Sequence, residues 1–181
     1  YTVTPTTPDG CTSDPFTISV TVNPLGQVDN PGDQEFCNND NININFTTEN
    51  TGGDTTYSWT NTNSAIGLSN SGSGNLNITA TNTTNDPITS SVTVTPTFEG
   101  CDGTPQTFTI IVNPTPLIED IEQEICTGSE ISIAPIDGTI PSGTIYSWDI
   151  PTSLPSGAIT GGTSGTDETI IAESELLNST N

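Results

Sequence analysis

The chain has 181 residues, 22 of them Asp or Glu and none Lys, Arg or His, so its formal charge at neutral pH is −22. That charge excludes nucleic acid as a partner, because phosphates must be met by basic groups, and it excludes anionic membrane surfaces. It also excludes every side-chain salt bridge, which leaves apolar burial, backbone ladders and cysteines to hold any fold against carboxylate repulsion. Apolar residues make up only 29%, but they fall in short alternating runs, the mark of strands rather than of disorder. No run of 18 apolar residues occurs, so no membrane-spanning helix is expected.

Residues 1–7 alternate Tyr1, Val3 and Pro5 with outward Thr, turn at Pro8-Asp9-Gly10, and resume with Phe16, Ile18, Val20 and Val22 alternating against Thr17, Ser19, Thr21 and Asn23. Period-two alternation marks half-buried strands. Pro24 ends the second strand, because proline cannot donate to a ladder. Residues 25–32 read as a linker, with Pro31-Gly32 as its breaker, and 114–120 read the same way. Residues 34–37 are expected as a short edge strand and Asn38-Asn39-Asp40 as a turn. Ile42, Ile44 and Phe46 then form the inward side of a second strand. A glycine-bearing turn at 51–54 precedes a third strand with Tyr57 and Trp59 on one face, and Trp59 is the expected core anchor. Leu68 is expected as a small strand or an edge contact, and 69–74 as loop. Leu76, Ile78 and Ala80 read as a strand, 81–87 as loop and 88–113 as a closing hairpin. From 115 the series starts again. Ile121 and Ile125 face in against outward Glu122 and Glu124, and Ile131 and Ile133 lie on a second strand. Tyr146 and Trp148 lie on a third, with Trp148 as its anchor, and Ile170 and Ile171 sit within a strand at 169–172.

The series is a repeat. Cys11 recurs as Cys101, Cys37 as Cys126, Tyr57-Ser58-Trp59 as Tyr146-Ser147-Trp148, and Asn23-Pro24 as Asn113-Pro114, all at spacings of 89 or 90 residues. Such self-similarity identifies a repeat architecture. About seven short strands per repeat and no 3.6-residue apolar stripe predict an all-β chain of tandem immunoglobulin-like β-sandwich repeats of about 90 residues. Residues 1–24 are then the C-terminal hairpin of a preceding repeat, 25–114 a complete repeat, and 115–181 the N-terminal part of a following one. The chain reads as a window of a longer array whose units are one another's neighbours.

Catalysis has no footing. Without His or Lys no ordinary base serves a Ser or Thr nucleophile, and Glu122 and Glu124 read as the solvent side of a strand rather than an acid–base pair. No enzymatic activity and no cofactor is expected. Calcium is the one metal to weigh: Asn38-Asn39-Asp40, or Asp29 with Asp33, offer oxygen ligands, but no DxDxDG spacing is present. Solvated turn residues are the simpler reading. Tyr57 and Trp59 on one strand face read as core rather than as a sugar-stacking platform. Four cysteines at repeating positions, with no CxxC, read as an extracellular disulfide framework. The expected pair within 25–114 is Cys37 with Cys101, closing a loop of 101 − 37 = 64 residues, worth about 4 kcal/mol in the chain-entropy description. Cys11 and Cys126 then find partners outside the window. Bonds between neighbouring units, or Cys11–Cys37 and Cys101–Cys126 at a junction, are alternatives, because in an ordinary immunoglobulin order Cys37 and Cys101 lie at opposite poles.

These features resemble the PKD-like or immunoglobulin-like repeats of giant Bacteroidota cell-surface adhesins, closest to the SprB-type gliding-motility adhesins. The resemblance rests on Glu35-Phe36-Cys37 and Glu124-Ile125-Cys126, on Tyr-Ser-Trp at 57–59 and 146–148, and on Val-Thr-Pro-Thr, Gly-Cys and Val-Asn-Pro in the closing hairpin. It implies export by the type IX secretion system, the gliding machinery as a partner, and anchorage outside the cell at the outer membrane. It further implies contact with an extracellular surface or polysaccharide through other regions, and no catalysis. Asp54-Thr55-Thr56 matches an acceptor pattern associated with exported Bacteroidota proteins, so an O-linked glycan is expected on Thr55. The expected function is a non-catalytic segment of an adhesin stalk. The alternative is a spacer or carbohydrate-binding module of a secreted multidomain enzyme.

Overall fold

The computed structural model describes residues 1–180, and these are all-β apart from a single 3-10 turn at Ser64–Ile66. Strands β1 (Thr2–Val3) and β2 (Phe16–Thr17) open the chain as an antiparallel hairpin, with Thr2 opposite Thr17 and Val3 opposite Phe16. Its turn carries Gly10 at φ 88°, a left-handed conformation that glycine adopts without steric cost.

A central sandwich follows. It contains β3 (Gln34–Cys37), β4 (Asn41–Ile44), β5 (Thr55–Asn61), β6 (Ser71–Ser73), β7 (Leu76–Thr79), β8 (Ile88–Phe98), β9 (Cys101–Asp102) and β10 (Gln106–Asn113). One sheet runs β3-β10-β8-β5-β6, with β9 on the end of β8, and β4 pairs with β7 in the other. All these pairs are antiparallel except β3 with β10, which run parallel. The sequence dictates this directly. In β8 and β10 every second residue is buried, Val92, Val94 and Phe98 on one strand and Phe108, Ile110 and Val112 on the other, with mostly Thr and Ser between. A strand of that pattern has one apolar face, and it must cover that face with a second layer. β4 supplies the cover through Ile42 and Ile44, aided by Phe46, Ile66, Leu68, Leu76 and Ala80. Phe46 fills the centre, its ring 6.3 Å from Phe108 and 5.4 Å from Tyr57.

Pro96 lies inside the central strand β8, where a missing N–H ought to break a ladder. It is tolerated because the β10 pairing has already ended at Val94 opposite Gln106. Beyond it β8 folds back through a two-residue turn, Glu99 at φ 46° and Gly100 at φ 81°, the type I′ geometry that suits a twisted hairpin.

Three local expectations differ from the structure. Residues 25–32 are not a free linker: Gly26 N donates to Cys101 O (3.0 Å), Asp29 N to Thr47 O (2.9 Å) and Asn30 Nδ2 to Thr107 O (3.2 Å). The segment is laid along the sandwich, and Val28 packs on the core. Residues 69–74 contain an edge strand, β6, paired to β5; a Ser-Gly-Ser strand has no alternation to read. Leu68, expected at an edge, is 2% exposed in the core.

The remaining strands are β11 (Leu117–Ile118), β12 (Ser129–Ile133), β13 (Gly138–Thr139), β14 (Tyr146–Trp148), β15 (Ile159–Thr160), β16 (Gly165–Glu168) and β17 (Ile171–Asn178). β12 pairs with β17, β14 with β16 and β11 with β13. The expected strand at 169–172 is displaced to β17, which starts at Ile171 and is longer. Ile121 and Ile125, expected to face in, are 50% and 37% exposed. In the central sandwich the matching strand β3 lies against β10, and no counterpart of β10 exists among the described residues after 113.

Candidate functional site

Trp59 is the hub of the central sandwich. It is 8% exposed, stands opposite Val94 on one side and Gly72 on the other, and its Nε1 donates to Gly74 O at 3.1 Å. The indole lies flat across the edge strand, so a Cβ on Gly72 would come within 2.6 Å of Cη2 and 2.9 Å of Cε2. Gly72 is therefore half of the anchor: only a residue without a side chain leaves room. The same device recurs further on. Trp148 stands opposite Gly165, where a Cβ would lie 2.6 Å from its Cε2, and its Nε1 donates to Thr163 O (3.0 Å). Neither ring offers an open face for stacking a sugar: Trp59 is buried, and Trp148 is half-buried against Gly165.

The buried polar residues hold loops. Asn82, 1% exposed, donates through Nδ2 to Val112 O (2.7 Å) and Asp86 O (2.9 Å), and its Oδ1 accepts from Thr84 N (2.9 Å) and Thr84 Oγ1 (2.8 Å). One side chain thus pins the 81–87 loop to the end of β10. Asn61 binds Ser90 Oγ and donates to Leu68 O (2.8 Å). Beside Trp148, Glu173 is a buried carboxylate at the position that Ile78 occupies in the β4–β7 pair, opposite Ile131 as Ile78 is opposite Ile42. Burial pushes its pKa up, but hydrogen bonds from Thr163 Oγ1 (2.9 Å), Thr163 N (3.0 Å) and Trp148 Nε1 (3.2 Å) outweigh that and hold it below the usual value.

The acidic turn residues considered for calcium serve their own backbone. Asp40 Oδ2 accepts from Cys37 N (2.8 Å), Asp29 Oδ2 from Thr47 Oγ1 (2.6 Å) and Asp33 Oδ1 from Thr109 N (2.7 Å). The bonds to Thr109, side chain first and backbone second, hold the Asp33 carboxyl below its ordinary pKa. No group of three or more Cys, Asp or Glu side chains is gathered as for a metal ion among the described residues.

Two expectations about site residues are corrected. All four cysteines, Cys11, Cys37, Cys101 and Cys126, are free thiols. Cys37 stands opposite Asn113 at one end of the sheet, and Cys101 stands opposite Phe98 at the other. The 11 residues of β8 lie between those ends, about 30 Å at roughly 3.3 Å per residue, far beyond the ~7 Å that a disulfide spans between Cα atoms. The Cys37–Cys101 bond within 25–114 is excluded by that geometry. Thr55 is not an accessible acceptor either. It is the first residue of β5, and its Oγ1 is buried with no hydrogen-bond partner, so the group that would carry a sugar points into protein.

The sandwich has two distinct poles. At one, Leu25 and Gly26 enter across the β8–β9 turn, where Asn23 Nδ2 donates to Glu99 O (3.4 Å) and Gly26 O crowds the Cβ position of Gly103. At the other the chain leaves through Asn113-Pro114. There Thr115 Oγ1 donates to Asn38 O (3.3 Å) and Ile140 N donates to Asn85 Oδ1 (2.7 Å). Both poles are therefore touched by neighbouring segments of the same chain. No curated protein matches the chain in sequence. Residues 34–116 match the PKD-like domain family. Two facing sheets with a buried tryptophan on the third strand make this region a β-sandwich of the immunoglobulin-like class, in keeping with the similarity of residues 34–116 to the PKD-like domain family.

Proposed function

We propose that the chain is a run of consecutive PKD-like units in the extended, non-catalytic stalk of a giant cell-surface adhesin, working in surface attachment and gliding motility. Residues 1–24, 25–114 and 115–181 are the tail, whole and head of successive units. The opening hairpin supports this reading. Val3 opposite Phe16 and Thr2 opposite Thr17 reproduce, in the aligned residues, Val94 opposite Gln106 and Thr93 opposite Thr107. The Trp148–Gly165 pair supports it again as a second copy of Trp59–Gly72.

The observation that carries the stalk reading is the separation of the two poles: each unit takes the chain in at one end and passes it on at the other. Stacked head to tail, every unit adds a fixed increment of length and contacts mainly its neighbours. A charge of −22 with no basic residue keeps units from folding onto one another within the ~8 Å screening length of physiological salt. The same lack of Lys and Arg leaves nothing for trypsin-like proteases to cut. Export by type IX secretion, anchorage at the outer membrane and a distal binding region that meets the extracellular surface or polysaccharide belong to this proposal. The second reading, a spacer in a secreted enzyme, draws on the same length and inertness. Deletion of the encoding gene separates them. Loss of attachment and of movement over surfaces is the expected result, whereas normal attachment, or a catalytic domain in the same polypeptide, overturns the stalk reading in favour of the spacer.

A further inference from the structure

The cysteines lie at the poles. Cys37 is exposed at the exit pole, opposite Asn113, and the next residue ties it there, since Asn38 N donates to Asn113 O (2.8 Å) and Asn38 O accepts from Thr115 Oγ1 (3.3 Å). Cys101 is part-exposed at the entry pole, and the incoming chain crosses it: Gly26 N donates to Cys101 O (3.0 Å) and Asn23 Nδ2 to Glu99 O (3.4 Å). Asn23 and Asn113 hold the same place in the repeat. The short stretch that leaves one unit beside Cys37 is thus the stretch that enters the next beside the counterpart of Cys101.

We propose that these cysteines form a disulfide across every junction, Cys37 with the following unit's counterpart of Cys101, and Cys101 with the preceding unit's counterpart of Cys37. This rests on the reading of the chain as consecutive units. It explains why none of the four thiols has a partner in residues 1–180. Cys11 and Cys101 sit on entry poles and Cys37 and Cys126 on exit poles, and no exit cysteine here is followed by the entry cysteine of the next unit. It also disposes of Cys11–Cys37 and Cys101–Cys126, which each join an entry pole to an exit pole one unit-length or more away. The chemistry is thiol–disulfide exchange. One thiolate attacks an oxidant disulfide, the second attacks the resulting mixed disulfide, and the two thiols give up two protons and two electrons as the oxidant leaves as two thiols. The bond closes a ring that contains the junction, so one unit cannot swing away from the next.

The test uses residues 25–114, whose core closes within itself, joined directly to a second copy so that Pro114–Leu25 reproduces the natural Pro24–Leu25 step. Because the copies are identical, single cysteines are removed to assign the bond. With C101S in the first copy and C37S in the second, the two remaining thiols face the junction. In a reduced/oxidised glutathione buffer they should vanish from thiol titration, and non-reducing digestion with glutamyl endopeptidase should yield a linked peptide pair. The mirror variant, C37S in the first copy and C101S in the second, should keep both thiols free. Free thiols in the first variant, while X-ray scattering gives the length of two domains end to end, overturn the cross-link alone. A linked pair in the mirror variant also overturns it, and scattering from two domains side by side overturns the array reading and the cross-link with it.

Discussion

Replacing Gly72 by alanine tests whether the tryptophan anchor is a two-residue device. In a strand, Gly→Ala ordinarily stabilises, by roughly 0.5–1 kcal/mol, because alanine has less freedom to lose on folding. Here the new methyl would meet the Trp59 indole at 2.6 Å from Cη2, and the ring is 8% exposed with the core behind it. Forcing a rigid ring out of a packed site costs about 1–3 kcal/mol. Moving it also strains the Nε1 bond to Gly74 O (3.1 Å), worth about 1 kcal/mol. Set against the conformational gain, the net loss is about 2 kcal/mol. For a domain of this size that lowers the Tm by about 8–16 °C. In the 25–114 segment Trp59 is the sole tryptophan, so urea unfolding followed by its fluorescence reports both stability and the ring's surroundings. An unchanged or raised urea midpoint with unaltered native fluorescence refutes the reasoning.

Other outcomes follow from the same contacts. Asn82→Ala strands the buried Val112 carbonyl and should cost roughly 1–3 kcal/mol, with faster amide exchange in residues 81–87 as the check. Thr55→Val replaces a buried hydroxyl that has no partner and should raise stability by about 1 kcal/mol; peptide mass mapping of the protein from its native host should show no sugar on Thr55. Sodium chloride should raise the urea midpoint steadily, because there is repulsion to screen and no side-chain salt bridge to weaken. The Asp33 carboxyl is held low by Thr109, so its contribution is present above the ordinary carboxylate range and is lost as pH falls through its lower folded value. Asp33→Asn should therefore flatten the loss of stability below about pH 4, measured by urea midpoint against pH.

Alternation made β4, β5, β8 and β10 legible in the sequence, because each has one buried and one wet face and large apolar residues on the first. What could not be read has no such asymmetry. β6 is Ser-Gly-Ser and exists because Trp59 needs a flat neighbour, not because its own residues favour a strand. Residues 25–32 look like a linker because their bonds to the sandwich run through backbone groups and short polar side chains. Asn82 sits among polar residues that give no sign of burial, and Glu173 is a carboxylate of the kind expected on a solvent face, so only its pairing opposite Ile131 reveals that it stands in an apolar place. The cysteines were visible as a pattern, but the pole that each of Cys37 and Cys101 occupies is a property of strand order.

The parallel pairing of β3 with β10 also sets how a unit resists being pulled. Tension applied through Pro24 and Pro114 drags the first strand toward one pole and the last toward the other, along their common axis. The β3–β10 ladder from Gln34 opposite Ile110 to Cys37 opposite Asn113 must then slide as a block. With it slide the bonds Asn30 Nδ2 to Thr107 O and Thr109 N to Asp33 Oδ1, together with Asn113 Nδ2 to Glu35 Oε1. None of these bonds can fail singly ahead of the rest, as the rungs of a hairpin opened from its end would. The strand that looked like a minor edge piece is thus the mechanical clamp of the unit, and its rupture load is shared among all of them at once.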